Sequence, residues 1–201
     1  MSSSSTAQGS LIAGKLALDF ANMRSEGRDL SWNEFVGFLV QGGVVTQDRA
    51  ERLRPLARSE PVVVDAVRLK VLRLQECVRA IFAAAVEKRP HPTAWVAPIN
   101  EILRLTEGHD ELVLQDGHWK LQFVARESGL EWLLAAIARS AAELIAEGAN
   151  APVRRCANLD CGLFFYDDSR TGRRRWCSMS VCGNRHKVAA FLRRHGASGS
   201  E

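Results

Sequence analysis

The apolar residues of the first 150 positions recur mainly with the period of an α-helix. The longest such pattern covers 61–88, where large apolar side chains follow spacings of three and four residues. Ser31 and Glu34 have the spacing of a capping box, which predicts a helix over 32–39. A further helix is expected over 129–147. The predicted core stripe of the longest helix is Val64, Val67, Val71, Leu74, Val78, Ile81, Phe82 and Ala85.

Between these helices the apolar period changes to two. The segments 111–115 and 119–123 alternate and flank Asp116-Gly117, a dipeptide typical of two-residue hairpin turns. Shorter helices are predicted after Thr46 and after Thr93, because each threonine is a good N-cap for the apolar pattern that follows it. The first 150 residues are therefore expected to be mainly helical, with one small β-hairpin.

The net charge is informative only after the chain is divided. The 201 residues carry 27 basic and 23 acidic side chains, a formal charge of +4. The cluster of helix-breaking residues over 148–152 suggests a linker, and we divide the chain there. Residues 1–150 hold 17 basic against 19 acidic side chains, or −2, whereas 151–201 hold 10 against 4, or +6. The basic excess therefore lies in the last quarter of the chain.

Composition also excludes several classes of protein. The apolar content of 46% and the length allow a sizeable core, so a wholly disordered chain is excluded. The serine-rich residues 1–10 have no basic and apolar segments of the kind that form a secretory signal. The longest apolar runs have seven residues, whereas a membrane span needs about 20. We therefore expect a cytoplasmic protein with flexible tails at 1–10 and 197–201.

Four of the five cysteines form two pairs near the C-terminus. Cys156 and Cys161, then Cys177 and Cys182, read C-x4-C, 15 residues, C-x4-C, and two such pairs can face one another around a tetrahedral metal. Four thiolates select zinc or, less often, iron, and they leave no open position for catalysis. Two disulfides or four free thiols are the alternative to a metal site, and His186 is an alternative fourth ligand.

The segment around these pairs predicts a small finger. A β-prone run over 163–167, a turn over 169–172 and a return strand over 173–176 would form a hairpin. A helix is expected from Cys182 to Arg194, with the second pair at its N-terminus. Knuckle, hairpin and helix in this order are typical of a treble-clef-like zinc finger, whose metal supplies much of the folding energy.

The basic residues of this segment are candidates for contact with nucleic acid, since cations that neutralise phosphates dominate such affinity. Two arginines would balance the −2 charge of a zinc ion with four thiolates, and a solvated basic face is a second alternative. The candidate nucleic-acid contacts are Arg170, Arg173, Arg174, Arg175, Asn184, Arg185, Lys187, Arg193 and Arg194. Strand alternation would place Arg173 and Arg175 on one face and Arg174 on the other.

Two motifs resemble known families. Cys182-Gly183-Asn184-Arg185, together with the upstream cysteines and the run 165–178, resembles the CGNR zinc finger. Leu16-Ala17-Leu18-Asp19-Phe20-Ala21-Asn22 is similar to the opening of the ABATE domain, which commonly precedes that finger. The resemblance covers about residues 10 to 195. It implies a stress-induced transcription regulator of bacteria that binds DNA through the finger.

These observations lead to one set of expectations. The fold is mainly α with a small hairpin (α+β) over 11–149, followed by a zinc finger over 150–196. The protein is expected to be a zinc-dependent regulator that binds double-stranded DNA, with an N-terminal domain for ligand sensing or homodimerisation, and not an enzyme. Alternatively, the finger binds RNA or another protein. Asp19 and Asn22 are the weaker candidates for binding a small-molecule effector.

Overall fold

The computed structural model describes residues 11–23, 30–115, 117–126 and 129–195. Single 3-10 turns over Thr93–Val96, Glu131–Leu134 and Gly148–Asn150 separate some of its longer elements. The helices are α1 (Leu16–Asn22), α2 (Trp32–Gln41), α3 (Gln47–Leu53), α4 (Leu56–Ser59), α5 (Pro61–Val86), α6 (Ala97–Leu105), α7 (Ala135–Ala146) and α8 (Asn184–His195). The strands are β1 (Gly108–Gln115), β2 (His118–Ala125), β3 (Val153–Arg155) and β4 (Phe164–Tyr166). The predicted mainly helical fold with short antiparallel strands is confirmed; the predicted tails lie outside the described residues.

Local sequence signals account for most helix boundaries. The Ser31 amide donates to the Glu34 carboxylate at 2.8 Å, and the Ser31 hydroxyl accepts from the Glu34 amide, so the predicted capping box is present. Pro61 occupies the first turn of α5, where its missing N–H costs nothing. The predicted stripe of α5 is buried except for Ala85, and Ala84 is buried in its place. Ala85 instead lines an open cleft at the end of the helix.

Helix α1 lies in the centre of the helical core. Its residues 17–21 are all buried, including the carboxylate of Asp19. A helix that is buried on every side shows no amphipathic stripe, which explains why the sequence pattern of this segment is ambiguous. Helices α5 and α7 pack against α1 and complete the core.

The two polar side chains of α1 bind backbone groups of this chain. The Asp19 carboxylate accepts from the amides of Ile12 and Ala13, both at 3.0 Å, and burial raises its pKa despite these hydrogen bonds. The Asn22 amide donates to the Phe164 carbonyl at 2.7 Å and accepts from the Phe164 amide at 2.8 Å. Asp19 thus anchors the segment before α1, and Asn22 holds strand β4. A ligand role for the two residues stays a prediction.

Strand β4 joins the finger to the helical core. Phe164 packs in that core against Phe82, with ring centroids 6.3 Å apart, and the Tyr166 amide donates to the Ala13 carbonyl at 2.8 Å. The partner of β4 is β3, with Arg154 opposite Phe165. The predicted pairing of β4 with a return strand over 173–176 is wrong, because that segment folds irregularly around a buried carboxylate described below.

The β1–β2 hairpin is as predicted but longer, and Gly117 has a φ of +77° in its turn. Leu112 lies opposite Leu121 and Leu114 lies opposite Trp119 on one face. Each of these four side chains is at least 62% exposed. The hairpin therefore presents an uncovered apolar face, which we call the hairpin face.

No helix in the described part of the chain is long and apolar enough to cross a bilayer.

Candidate metal centre

The four cysteines of the C-terminal segment converge on one point. Their sulfur atoms all lie within 4.8 Å of one another. The sulfur of Cys177 lies 3.7 Å from the sulfurs of both Cys161 and Cys182. A tetrahedral metal with Zn–S bonds of about 2.3 Å requires sulfur–sulfur edges of about 3.8 Å. The donor set and its spacing therefore fit a four-coordinate thiolate site, and the predicted metal centre is confirmed as a cluster of ligands.

The first pair lies in the loop between β3 and β4. The amides of Cys161 and Gly162 both donate to the Asn158 carbonyl, at 3.0 and 3.2 Å, which closes a tight turn between the two ligands. Gly162 has a φ of +62°, a conformation that side chains rarely adopt. The Cys156 amide donates to the Leu163 carbonyl at 2.8 Å and continues the β3–β4 pairing. The hairpin itself therefore positions the first two sulfurs.

The second pair lies at the start of α8, as predicted. Cys182 belongs to a π-helical turn over Met179–Gly183, whose N-cap is Ser178. The Gly183 amide donates to the Ser178 carbonyl at 3.0 Å. A Cβ on Gly183 would lie 3.0 Å from the Met179 sulfur, so a side chain here would displace that of the exposed Met179.

The four sulfurs can be thiolates together only when a cation offsets their charge. Burial, and then the neighbouring sulfurs of Cys161 and Cys182, raise the pKa of the Cys177 thiol. A metal ion offsets this effect because it binds the thiolate form. The Asn158 side-chain amide lies 3.8 Å from the Cys182 sulfur and donates toward it. His186 is exposed and stacks on Trp176, with ring centroids 4.8 Å apart, whereas the ligand cluster consists of the four sulfurs.

Arg174 supports, from within the finger, the backbone at the start of the second cysteine pair, which we call the second knuckle. Its guanidinium donates to the carbonyl of Trp176 at 2.9 Å and to the carbonyl of Cys177. Its central carbon lies 4.9 Å from the centroid of the buried Phe165 ring. Arg174 therefore fixes the backbone that carries a metal ligand, which is a role the sequence analysis did not assign to it.

Asp167 is the buried carboxylate around which residues 167–174 fold. It accepts from the Ser169 hydroxyl at 2.5 Å, the Arg174 amide at 3.0 Å and the Arg154 guanidinium at 2.7 Å. Burial acts to raise its pKa, but these hydrogen bonds and the Arg154 charge outweigh it, so the pKa is lowered. The predicted strand over Arg173, Arg174 and Arg175 is therefore wrong, because the chain folds around this carboxylate. The predicted separation of the three side chains agrees with the structure, since Arg173 and Arg175 are exposed and Arg174 is half-buried.

The remaining candidate contacts for nucleic acid are on the surface of the finger. The exposed cations among them are Arg170, Arg173, Arg175, Arg185 and Lys187. Asn184 is exposed too, and its amide donates to the Ser180 carbonyl at 3.0 Å. Arg193 and Arg194 lie in α8, and their side chains are outside what the structure describes.

The aromatic residues of the finger are mostly internal. Phe164, Phe165 and Trp176 are buried, and Tyr166 is half-buried with the Lys15 ammonium 4.9 Å from its ring centroid. A platform for single-stranded RNA requires exposed aromatic faces on which bases stack. These four residues do not provide such a platform.

Comparison with protein families now identifies the two parts of the chain. Residues 14–148 match the ABATE family, described as "Putative stress-induced transcription regulator". Residues 153–195 match the CGNR zinc finger. The chain belongs to the ABATE family. In this ABATE protein the matched finger contains the four clustered sulfurs, so the predicted family and its order of domains are confirmed. A search of curated proteins finds no significant match.

Sequence reasoning missed the Asp167 network in this ABATE protein. Its signal was the run Asp167-Asp168-Ser169, since an aspartate two residues before a turn position commonly accepts from the backbone. The Ser169 amide does donate to the Asp167 carboxylate, at 3.2 Å. The contribution of Arg154 had no sequence signal, because it comes from the other strand of the hairpin.

Removing one sulfur should abolish metal retention. Cys161→Ser is expected to lose its metal ion after gel filtration, because three thiolates no longer close the shell. Cys77→Ser is the matched control, since Cys77 lies on α5 and outside the cluster. Metal content is measured by plasma mass spectrometry. Full retention by Cys161→Ser, or no metal in the wild-type chain, would contradict the site.

The adjacent residues Arg173 and Arg174 should behave differently. Arg174→Ala is expected to speed metal transfer to a chelator and to lower the free energy of unfolding by about 1–3 kcal/mol, because two carbonyls lose their donor. Arg173→Ala should leave both quantities unchanged, because its side chain is exposed. Equal effects of the two substitutions on chelation kinetics would show that Arg174 does not support the metal knuckle.

Proposed function

We propose that this protein is a cytoplasmic bacterial transcription regulator, active in the response to stress, that binds double-stranded DNA through its zinc-loaded finger. The metal would be Zn²⁺, which four thiolates prefer and which closes the site without a catalytic position. The proposal is therefore for a binding protein and not for an enzyme. The observation that carries it is the set of exposed cations of the finger that have no carboxylate partner among the described residues.

The charges of the finger can be sorted by their internal partners. Arg154 pairs with Asp167, and Arg174 lies 3.5 Å from Asp168. These two arginines are thus matched by two carboxylates of the same segment. The exposed cations other than Arg154 are Arg155, Arg170, Arg173, Arg175, Arg185 and Lys187. The finger has more exposed cations than it uses in its own ion pairs, which supports contact with a polyanion.

Helix α8 presents part of this charge in a form that suits a groove of DNA. His186 stacks on Trp176 and thereby faces the finger. Arg185 and Lys187 flank it in sequence, are exposed and lie in the first turn of the helix. Residues near the N-terminus of a recognition helix are those that reach base edges and phosphates in known DNA-binding motifs. Asn184 and Arg185 are our candidates for reading bases.

A specific observation also favours a second function, the binding of another protein. Val188 and Leu192 of α8 are 58% and 61% exposed, and Val181 in the π-helical turn before α8 is 48% exposed. Together with Ser180, Asn184, Arg185 and Ala189 they line a shallow groove. Exposed apolar stripes of this kind commonly contact protein partners. We call these three residues the α8 stripe.

DNA binding should depend on the basic residues of α8 and on salt. Arg185→Ala/Lys187→Ala is expected to weaken binding to a short labelled duplex and to reduce the salt slope by about 2, because each phosphate contact contributes about 1. The measurement is fluorescence anisotropy over a range of salt concentrations. Arg52→Ala/Arg58→Ala is the charge-matched control, since both residues are exposed on or near α3 and α4.

The same assay separates the two functions. Equal weakening by the control pair, or no binding to duplex at low salt, would overturn the DNA proposal. Val188→Ser/Leu192→Ser should leave duplex affinity within about twofold, because these side chains add no charge. The second function would be supported if the protein does not bind duplex DNA and if Val188→Ser/Leu192→Ser weakens its binding to a partner protein.

We further propose that the ABATE domain forms a homodimer through the hairpin face. The pairs Leu112–Leu121 and Leu114–Trp119 make an exposed apolar patch, which the ion pair of Asp110 with Arg139 borders on the same face. An antiparallel pair of strands is close to symmetric about a two-fold axis, so the same face of a second copy complements it. An isolated two-stranded hairpin is also marginally stable unless another layer covers it.

A charge on the hairpin face should separate the two copies. Leu121→Glu is expected to convert a dimer into a monomer, since it would place a carboxylate in the apolar contact. Gln122→Glu introduces the same charge on the opposite face of β2 and should remain dimeric. Mass is measured by light scattering after gel filtration. A wild-type chain that stays monomeric at high concentration would exclude this dimer.

A further inference from the structure

A cleft of about 1000 Å³ lies where the helical part meets the finger. The last turns of α5 and α7 form one wall, and the segment from Gly148 through β3 and the pair Arg174-Arg175 form the other. Its apolar floor consists of Ile81, Phe82, Ala85, Val86, Leu144 and Ile145. Its size is at the upper end of the range for sites that bind small organic molecules.

The rim of the cleft carries positive charge and no carboxylate. Among the described residues that line it, the cationic or titratable side chains are Lys88, Arg89, His91, Arg154, Arg155, Arg174 and Arg175. None of the described lining residues is aspartate or glutamate. A concave site with an apolar floor and a cationic rim is complementary to an anion that has an apolar body.

Several of these cations already have internal partners. Arg154 pairs with Asp167, Arg89 lies 2.5 Å from Glu87, and Arg174 donates to backbone carbonyls. Three cations have no carboxylate partner among the described residues: Lys88, Arg155 and Arg175. The Arg155 Nε donates to the Gly162 carbonyl at 3.2 Å, and Arg175 lies over the Trp176 ring at 5.3 Å, which leaves most of their donors unused.

Helix dipoles account for only part of this charge. The C-terminal ends of α5 and α7 both border the cleft. Each helix end carries about half a negative charge, so the two together offset about one cation. A metal ion bound by the four thiolates adds a formal charge of −2 on the finger side of the cleft. An anion is therefore favoured by the position of Lys88, Arg155 and Arg175 beside an apolar floor, and not by a surplus of positive charge.

Lys88 occupies a backbone position that favours glycine. Its φ of +53° is the only positive value among the described non-glycine residues. The Lys88 amide donates to the Ala85 carbonyl at 3.0 Å and the Arg89 amide to the Ala84 carbonyl at 2.9 Å. These two bonds form a Schellman motif that ends α5, in which the Lys88 position is usually glycine. A lysine held there against conformational preference points to a functional need for its charge at the cleft.

We propose that this cleft binds one organic anion per chain, a molecule with an apolar body and a single acidic head group. The apolar body would lie against Phe82, Val86 and Ile145, and the head group would lie among Lys88, Arg155 and Arg175. Because residues of both the ABATE domain and the finger line the cleft, the ligand would act as the effector of the regulator. Only this last step rests on the proposed DNA-binding function.

The binding test uses the metal-loaded full chain and the dye 8-anilinonaphthalene-1-sulfonate, an aromatic anion that fluoresces in apolar sites. The wild-type chain should show one saturable site. Lys88→Gly should weaken the dye roughly tenfold, because one charge-assisted hydrogen bond is lost. Its melting temperature should stay equal or rise, since glycine adopts this φ freely. A structural role of Lys88 alone would not produce this combination.

A second variant and two controls make the result decisive. Ala85→Trp should block the dye, because Ala85 is exposed at the cleft and a larger side chain extends into it. Arg58→Ala on α4 and Leu121→Glu on the hairpin face should not change the affinity of the cleft. Dye affinity that is unchanged in Lys88→Gly or Ala85→Trp would overturn the proposal. So would equal affinity for the uncharged dye N-phenyl-1-naphthylamine.

Displacement of the dye distinguishes the head groups. Decanoate and decyl phosphate share an apolar chain and differ in the acid, so displacement by either supports the site and names its preference. The proposed anion site would be overturned if decanol displaces the dye and neither decanoate nor decyl phosphate does. No DNA is present in these experiments. A failure of DNA binding therefore does not affect the proposed anion site, and a failure of the dye test does not affect the proposed DNA binding.

Discussion

The structure depends most on one short strand that belongs to two cores at once. Side chains alternate along β4, so Phe164 points into the helical core and Phe165 into the core of the finger, where both are buried. The Asn22 side chain binds both backbone groups of Phe164. A metal-stabilised module of about 50 residues cannot bury much apolar surface of its own. Because β4 belongs to both cores, it fixes the position of the finger against the ABATE domain.

This arrangement decides what each charge of the finger does. The β3–β4 pairing brings Arg154 to Asp167, and Asp167 in turn holds the segment that contains Arg174. Arg154 and Arg174 are therefore structural. Their loss would affect the metal site more than it would affect a binding surface. The other exposed cations of the finger form no ion pair with a carboxylate of the described residues. Of these, Arg185 and Lys187 belong to α8, whereas Arg155 and Arg175 border the cleft beside the ABATE domain.

The metal ligands and the element types could be predicted because they follow from local rules. Two close cysteine pairs, a capping box at Ser31 and an Asp-Gly turn each act over a few residues. The pairing partner of β4 could not be predicted, because it depends on Asp167 competing for the backbone of the following residues. Asp19 stands out in the sequence as a polar residue in an apolar run, but only the fold shows that backbone amides surround it.

The sequence by itself determined the chemistry of this ABATE protein: four soft ligands at metal spacing, a helical first part and a basic last quarter. Composition and short-range spacing carry that information because ligand type, periodicity and formal charge are local properties. Only the tertiary structure decided which charged side chains have partners inside the protein. It also decided where the ABATE domain and the finger form a cleft. Such features depend on groups distant in sequence that come together only when the chain folds: Asn22 binds Phe164, and Lys88 and Arg175 line the same cleft.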